Sequence, residues 1–152
     1  MLKRALALLA LVMVCAGTSC DHWMGIAVTP GPPRDWNGAR DTIFLLAMRV
    51  SQQFQLKPYM RPDLQESGFT SCFDQKFPDR GHLILCGKTK GREVHFLLME
   101  NSLSNTPHAD SLRTALLDSF RGEFGAQAAR ECEWSYESHP EQSGCPLQTA
   151  AR

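Results

Sequence analysis

The chain has 152 residues with 16 basic and 16 acidic side chains, so its formal net charge is zero. This length fits one domain with a core of its own, and a balanced charge provides no basic field that would attract nucleic acid. We therefore expect a single small domain and no nucleic-acid partner.

The N-terminus has the pattern of a secretory signal. Lys3 and Arg4 precede an uncharged, apolar run over residues 5–16. That run is shorter than the roughly 20 apolar residues that a membrane-spanning helix needs. Residues 1–19 are therefore predicted to form a signal peptide that is removed.

The run ends in Gly17-Thr18-Ser19-Cys20, which resembles the lipobox of bacterial lipoprotein precursors. The resemblance implies that Cys20 becomes the first mature residue and carries acyl chains, which hold a protein firmly at a membrane. Ordinary cleavage near residues 16–19, without a lipid, is the alternative. In this class of proteins an aspartate after the cysteine, here Asp21, favours the inner membrane, with the domain facing the periplasm.

Cysteine parity favours an anchor at Cys20. Cleavage before Cys20 removes Cys15, and it also removes Lys3 and Arg4, so the mature chain is slightly acidic. An even set of cysteines in an oxidising compartment is expected to form disulfides. No C-x-x-C spacing that would favour zinc is present. The four cysteines that remain after this cleavage, besides Cys20, are Cys72, Cys86, Cys132 and Cys145.

Residues 20–37 are predicted to form the lipidated N-terminus and an extended tether. Residues 30–33 read Pro-Gly-Pro-Pro, which fits neither a helix interior nor a central strand. Trp23, Met24 and Ile26 within this segment would either lie in the lipid interface or pack on the domain.

The folded domain is predicted over residues 38–137. Apolar residues at intervals of three and four predict a first helix over residues 40–55. Asn37 or Asp41 is expected to cap it, and Pro58 to stop it.

Three antiparallel strands are predicted after a polar connection over residues 59–67. A turn over residues 77–81 separates the first two strands, and a turn from Lys88 to Arg92 separates the last two. A register with Cys86 opposite Val94 puts one set of side chains on a common face. The set is Ile84, Cys86, Val94, Phe96 and Leu98. The strands cover residues 69–75, 82–88 and 92–100.

A second helix is predicted to begin with Thr106 as cap and Pro107 in its first turn, and to end at Gly125. A short helical turn over residues 126–130 follows. Alternating apolar and polar residues around Cys132 then predict a last short strand.

This order of elements predicts an α+β fold, a small two-layer sandwich of helix, three antiparallel strands and helix with the added final strand. Residues 138–152 are predicted to be a polar C-terminal tail.

Hairpin symmetry suggests the disulfide pairing. Cys72 and Cys86 are equally far from Asp79 in the first turn, so a symmetric hairpin brings them face to face. Cys132 and Cys145 are then left to pair and to pin the tail. The rival arrangement, with the last strand beside the hairpin, would join Cys72 or Cys86 to Cys132.

No motif indicates catalysis, a metal or a cofactor. Gly81 and Gly87 are too far apart for a phosphate-binding loop, and a strand rather than a helix follows Lys88. His82 and His95 are predicted to point to opposite faces, and no histidine has metal-ligand spacing. We therefore expect no enzyme activity, no cofactor and no metal.

Lys88, Lys90 and Arg92 concentrate positive charge at the predicted hairpin tip. This turn could contact an anionic surface or an acidic partner. An ordinary solvated turn is the alternative.

The signal, the anchor and the small domain suggest a membrane-tethered periplasmic lipoprotein with a non-catalytic, protein-binding role. By analogy with small bacterial lipoproteins, it would be an accessory subunit of an envelope machine or an inhibitor or immunity-type protein. A lipoprotein that binds a small ligand or an envelope polymer is the alternative, and an unrecognised periplasmic enzyme is the third hypothesis.

Overall fold

The computed structural model describes residues 21–32, 34–77, 81–101, 108–135 and 143–146, with Asp21 and His22 described by their backbone alone. The predicted signal peptide, the lipidation of Cys20 and the predicted cap at Thr106 and Pro107 lie outside the described residues.

The described chain contains three helices and six strands. The strands form one antiparallel sheet in the order β2-β3-β4-β5-β1-β6. The predicted α+β class is therefore confirmed, with six strands where the sequence predicted three and a final one. In chain order the elements are β1 (Asp21–Val28), α1 (Trp36–Gln53), β2 (Lys57–Pro58), α2 (Pro62–Glu66), β3 (Ser71–Lys76), β4 (His82–Lys90), β5 (Glu93–Asn101), α3 (His108–Phe124) and β6 (Ala129–Cys132).

The position of the first strand shows that the predicted tether is wrong over residues 21–28. β1 lies inside the sheet, between β5 and β6, so Asp21–Val28 belongs to the domain rather than to an extended linker. Ile26 and Val28 are fully buried in the core. Pro30 and Pro32 follow the strand, and Pro30 does not extend it because proline cannot donate to the ladder.

The β4–β5 hairpin differs from its predicted register. Lys90 pairs with Glu93 across a turn in which Gly91 has φ 61°, and Cys86 lies opposite Leu97 rather than Val94. The shift is an odd number of residues, and an odd shift moves side chains to the other face of a strand. The predicted common face is therefore wrong.

The observed register divides the hairpin into two faces. Leu83 and Leu85 share the helix-covered face with Phe96, whereas Ile84 and Cys86 lie on the other face. Alternation along both strands produces this division.

The helices begin and end through identifiable contacts. Asp35 caps α1 by accepting a 2.8 Å hydrogen bond from the Gly38 N–H, so neither predicted cap is used. Glu100 accepts a bond from the Ala109 N–H in the first turn of α3. Gly125 follows α3 with φ 103°, as predicted.

Residues after α3 form a strand rather than the predicted helical turn. β6 includes Ala129 and Arg130 and pairs with β1. Residues 59–67, predicted to be a polar connection, contain the short helix α2, and the two-residue strand β2 lies just before them. Local propensity missed both because tertiary pairing decides such short elements.

Both long helices pack on the same face of the sheet and form the main core with it. Ile43, Ala47 and Val50 of α1 and Leu112, Leu116 and Phe120 of α3 are buried there. The sheet has two ends. The proximal end holds the start of β1, Asn101 and His82, and the distal end holds Val28, Val94 and the Gly91–Arg92 turn.

The disulfide pairing is confirmed. Cys72 bonds Cys86 directly across β3 and β4, with Cα atoms 4.1 Å apart. Cys132 bonds Cys145, with Cα atoms 5.6 Å apart. Gly25 makes room for the second bridge, because a Cβ at this position would lie 2.3 Å from the Cys132 Sγ atom.

Candidate functional site

The face of the sheet turned away from the helices has two halves. In the covered half-face, strand side chains lie beneath Phe69, Trp134 and residues 143–146. In the open half-face, near the proximal end, strand side chains stay partly exposed. The covered half-face comprises Cys72, Cys86, Lys88, Glu93, His95 and Leu97. The open half-face comprises Trp23, Tyr59, Asp74, His82, Ile84 and Met99.

Lys88 is a buried lysine in the covered half-face, with 1% of its surface exposed. Its Nζ atom lies 5.5 Å from the ring centroid of Phe69 and 5.7 Å from that of Trp134. The two rings stack on each other. Aromatic faces attract a desolvated ammonium group, so this arrangement stabilises a charge that the sheet buries.

Glu93 and His95 form a second buried polar group beside Lys88. The Glu93 Oε2 atom lies 2.7 Å from His95 Nε2, and Thr29 donates a 2.8 Å hydrogen bond to Glu93 Oε1. The backbone N–H of Cys145 donates to His95 Nδ1 at 3.1 Å. Because Nδ1 accepts, the neutral ring carries its hydrogen on Nε2 and donates it to Glu93.

Burial and hydrogen bonding shift the pKa values of Glu93 and His95. The His95 ring is fully buried, and this desolvation lowers its pKa even though Glu93 acts in the opposite direction. Burial alone would raise the pKa of Glu93, but the hydrogen bonds from His95 and Thr29 outweigh it and the pKa is lowered. The carboxylate is therefore ionised and the imidazole neutral near pH 7.

The same network holds the C-terminal segment against the sheet. Arg130 contacts Glu93 Oε2 at 3.4 Å and donates a 2.7 Å bond to the Pro146 carbonyl. Lys90 Nζ lies 3.5 Å from the Cys145 carbonyl. Residues 143–145 are buried, so this part of the predicted tail belongs to the domain.

The network has the residue types of an acid–base site but uses them internally. Both ring nitrogens of His95 and both carboxylate oxygens of Glu93 have intramolecular hydrogen bonds. Their chemical role in this structure is to fix a strand, a turn and the C-terminal segment in one arrangement.

The predicted basic turn is only partly a surface feature. Arg92 is exposed and Lys90 half-buried, whereas Lys88 lies within the sheet and is covered by aromatic rings. The prediction that all three contact an anionic surface is therefore wrong for Lys88. The two-residue turn places Lys88 inside the ladder rather than at the tip.

On the open half-face, neighbouring strands present a row of apolar side chains. Trp23 lies opposite Met99 in the β1–β5 ladder, and Met99 lies opposite Ile84 in the β5–β4 ladder. Trp23 is 45% exposed. With His82 and Asn101, these residues line a hollow of about 190 Å³ at the proximal end.

A larger groove lies at the β2 edge of the sheet. Its volume is about 490 Å³, and we call it the β2-edge groove. Asp74 binds His82 Nε2 at 2.8 Å, and the Tyr59 ring meets the His82 ring edge-on. The groove is lined by Gln55, Lys57, Tyr59, Asp74, Gln75 and Lys76.

The two histidines of the β4–β5 hairpin do not have the predicted arrangement. His82 and His95 lie on the same face, not on opposite faces, but at different ends of the hairpin. Among the described residues, no three His, Cys, Asp or Glu side chains are grouped to hold a metal. No helix in the described part of the chain is long and apolar enough to span a membrane.

Sequence reasoning missed the buried network and the place of Trp23. Glu93, His95 and Lys88 could have been assigned to one face only with the correct register, which the positive φ at Gly91 sets. The available signal was Gly91 itself, because a two-residue turn favours glycine.

Comparisons of the chain with protein-family models, curated proteins and solved structures find no match. The function is therefore inferred from the sequence and from the side chains of the two half-faces.

Proposed function

We propose that this protein is a membrane-tethered lipoprotein of the cell envelope, anchored through Cys20. Supporting this, the two disulfides use all four cysteines that follow residue 20. Paired cysteines also suit an oxidising compartment such as the periplasm. The lipobox-like Gly17-Thr18-Ser19-Cys20 then supplies the thiol that the lipid modifies.

The domain acts by binding a protein rather than by catalysis. The buried Glu93 and His95 bond each other, and His95 also bonds the backbone of residues 143–146. This pair has the residue types of a catalytic site, but its role is structural. The observation that carries the binding role is the β2-edge groove, which combines Tyr59 with Lys57 and Lys76 beside the paired Asp74.

The β2 edge of the sheet indicates how a protein partner would bind. β2 pairs with β3 over two residues, Lys57 and Pro58, and β2 is the outermost strand. A two-residue edge strand that contains a lysine and a proline is protected against the addition of another strand, so a partner would bind through the side chains of the groove rather than by extending the sheet. Exposed Met60 lies next to Tyr59 in the chain and extends the apolar part of this edge.

Such a partner fits an accessory subunit of an envelope machine or a protein that inhibits a periplasmic toxin or hydrolase. The alternative, a small-ligand or envelope-polymer binder, is favoured by one observation. The groove volume of about 490 Å³ lies within the range of roughly 300–1,000 Å³ that is typical of small-molecule pockets.

The anchor is tested with Cys20→Ser, and Cys15→Ser is the matched control. We expect Cys20→Ser to abolish lipid on the chain and to release any mature product from membranes, while Cys15→Ser is processed as the parent. Mass spectrometry and membrane fractionation measure both. A Cys20→Ser protein that matures normally and stays in the membrane fraction contradicts the anchor.

The groove is tested with a photo-crosslinking amino acid at Lys57 in living cells. Gln127, which is exposed after α3, provides the control position. We expect a discrete protein adduct at position 57 that is absent at position 127. Adducts at both positions, or at neither, contradict the groove as a protein-binding surface. A small molecule carried by the purified protein and lost in Tyr59→Ala would establish the alternative.

A further inference from the structure

The start of the sheet lies next to the proposed anchor. β1 begins at Asp21, the residue after Cys20. An extended chain covers at most about 3.3–3.6 Å per residue, so Trp23 lies within roughly 11 Å of the Cys20 backbone. Because β1 pairs with β5 from Asp21 onward, the sheet begins directly after the residue that carries the proposed lipid.

This geometry fixes which end of the domain is nearest to the membrane. The proximal end holds Asn101 and His82, which pair with each other at the start of the β4–β5 ladder. The distal turn lies seven residues further along β1, roughly 23 Å away at the rise of an antiparallel strand. Exposed Arg92 is therefore on the side away from the lipid attachment.

The side chains near the proximal end have the chemistry of a membrane interface. Trp23 is 45% exposed, the largest exposed fraction among the large apolar side chains of the described residues. It borders the hollow formed with Ile84 and Met99. Tryptophan is enriched at membrane–water interfaces because its ring is apolar and its N–H is polar.

We propose that Trp23 and the hollow beside it rest in the headgroup layer of the bilayer that holds the Cys20 lipid. The inference rests on the proposed lipidation of Cys20. The occupant is phospholipid rather than a protein partner, because the short span from Cys20 keeps Trp23 at the depth of the headgroups. The β2-edge groove lies across the sheet from β1, with β5 and β4 between β1 and β3. Lys76 of this groove pairs with His82 at the proximal end, so a partner would bind beside the bilayer.

The test uses the mature lipidated protein in vesicles that contain brominated phospholipids, which quench tryptophan fluorescence on contact. The chain has three tryptophans, and only Trp23 is at the proximal end. Trp36 begins α1 after β1 has ended, and Trp134 lies in the covered half-face. We compare the parent with Trp23→Phe and, as the matched control, Trp36→Phe.

We expect bromolipid to remove part of the parent emission, and this quenched part to be lost in Trp23→Phe and kept in Trp36→Phe. Bromines near the acyl carbonyl should quench more strongly than bromines near the chain end. Circular dichroism checks that the variants are folded. Quenching that Trp23→Phe leaves unchanged, or no quenching, overturns the membrane contact alone. Mature protein without lipid on Cys20 overturns both the contact and the proposed anchor.

Discussion

The two disulfides offer a matched comparison, because they close loops of nearly equal length. Cys72 and Cys86 are 14 positions apart, and Cys132 and Cys145 are 13 apart. Loops of this size restrict the unfolded chain by about 3 kcal/mol. We therefore expect Cys72→Ala/Cys86→Ala and Cys132→Ala/Cys145→Ala each to lower the free energy of unfolding by about that amount.

Loss of the two disulfides should affect different parts of the chain. The first bridge joins strands that the sheet already pairs, so its loss leaves the ladder intact. The second bridge fastens the 143–146 segment. Two backbone hydrogen bonds between Ser135 and Gly144 also hold this segment, together with one bond each to His95, Arg130 and Lys90. Each such bond contributes about 0.5–1.5 kcal/mol, so no single bond replaces the bridge, although the five together are comparable with it. Loss of the bridge should therefore weaken the attachment of the segment.

Urea unfolding of the mature protein measures the free energies, and hydrogen exchange measures the release. The amide of residue 145 should lose protection in Cys132→Ala/Cys145→Ala and keep it in Cys72→Ala/Cys86→Ala. Protection retained in Cys132→Ala/Cys145→Ala would show that the polar network alone holds the segment. A much larger stability loss in Cys72→Ala/Cys86→Ala would refute the loop-closure reasoning.

Four further outcomes are expected. Because burial lowers the pKa of His95 from its usual 6.5, the unfolded chain binds this proton first on acidification. Stability should be full above pH 6.5 and fall below it, as urea midpoints on either side of that pH would show. Gly25→Ala, which presses a Cβ against the Cys132 sulfur, should cost about 1–3 kcal/mol. Gly122→Ala on the open side of α3 should instead add about 0.5–1 kcal/mol, as compared by thermal melting. Loss of the α1 cap in Asp35→Ala should cost about 1 kcal/mol in the same assay.

The sequence was most informative where local chemistry determines structure. Both disulfides followed from the symmetry of a hairpin about Asp79 and from cysteine parity. The two long helices followed from apolar spacing, and the end of the second from Gly125. Each of these features depends on residues close in the chain, so no long-range pairing had to be known.

The sequence was least informative where distant strands meet. β1 is buried on both faces over residues 25–28, so it lacks the alternation that marks a half-exposed strand. Its neighbours β5 and β6 come much later in the chain. The covered half-face was hidden for the same reason, since His95 meets Cys145 only after the tail folds back.

Burial of Lys88 shows how one turn residue changes a functional interpretation. A turn centred on Lys90, as in the predicted register, would have exposed three cations at a tip, whereas the two-residue turn at Gly91 draws Lys88 into the sheet. The apparent basic patch is thus reduced to Arg92 and part of Lys90.

The position of β1 also orders the events of biogenesis. In the proposed lipoprotein, β1 is the first strand to leave the translocation channel, and it cannot pair until its partners arrive, since Asp21 pairs with Asn101 and Gly25 with Cys132. The cleavage and acylation machinery would therefore meet residues 17–23 as an unfolded chain. Closing such distant pairs is slow, so modification at Cys20 would precede folding, and the sheet would assemble on a membrane to which it is already attached.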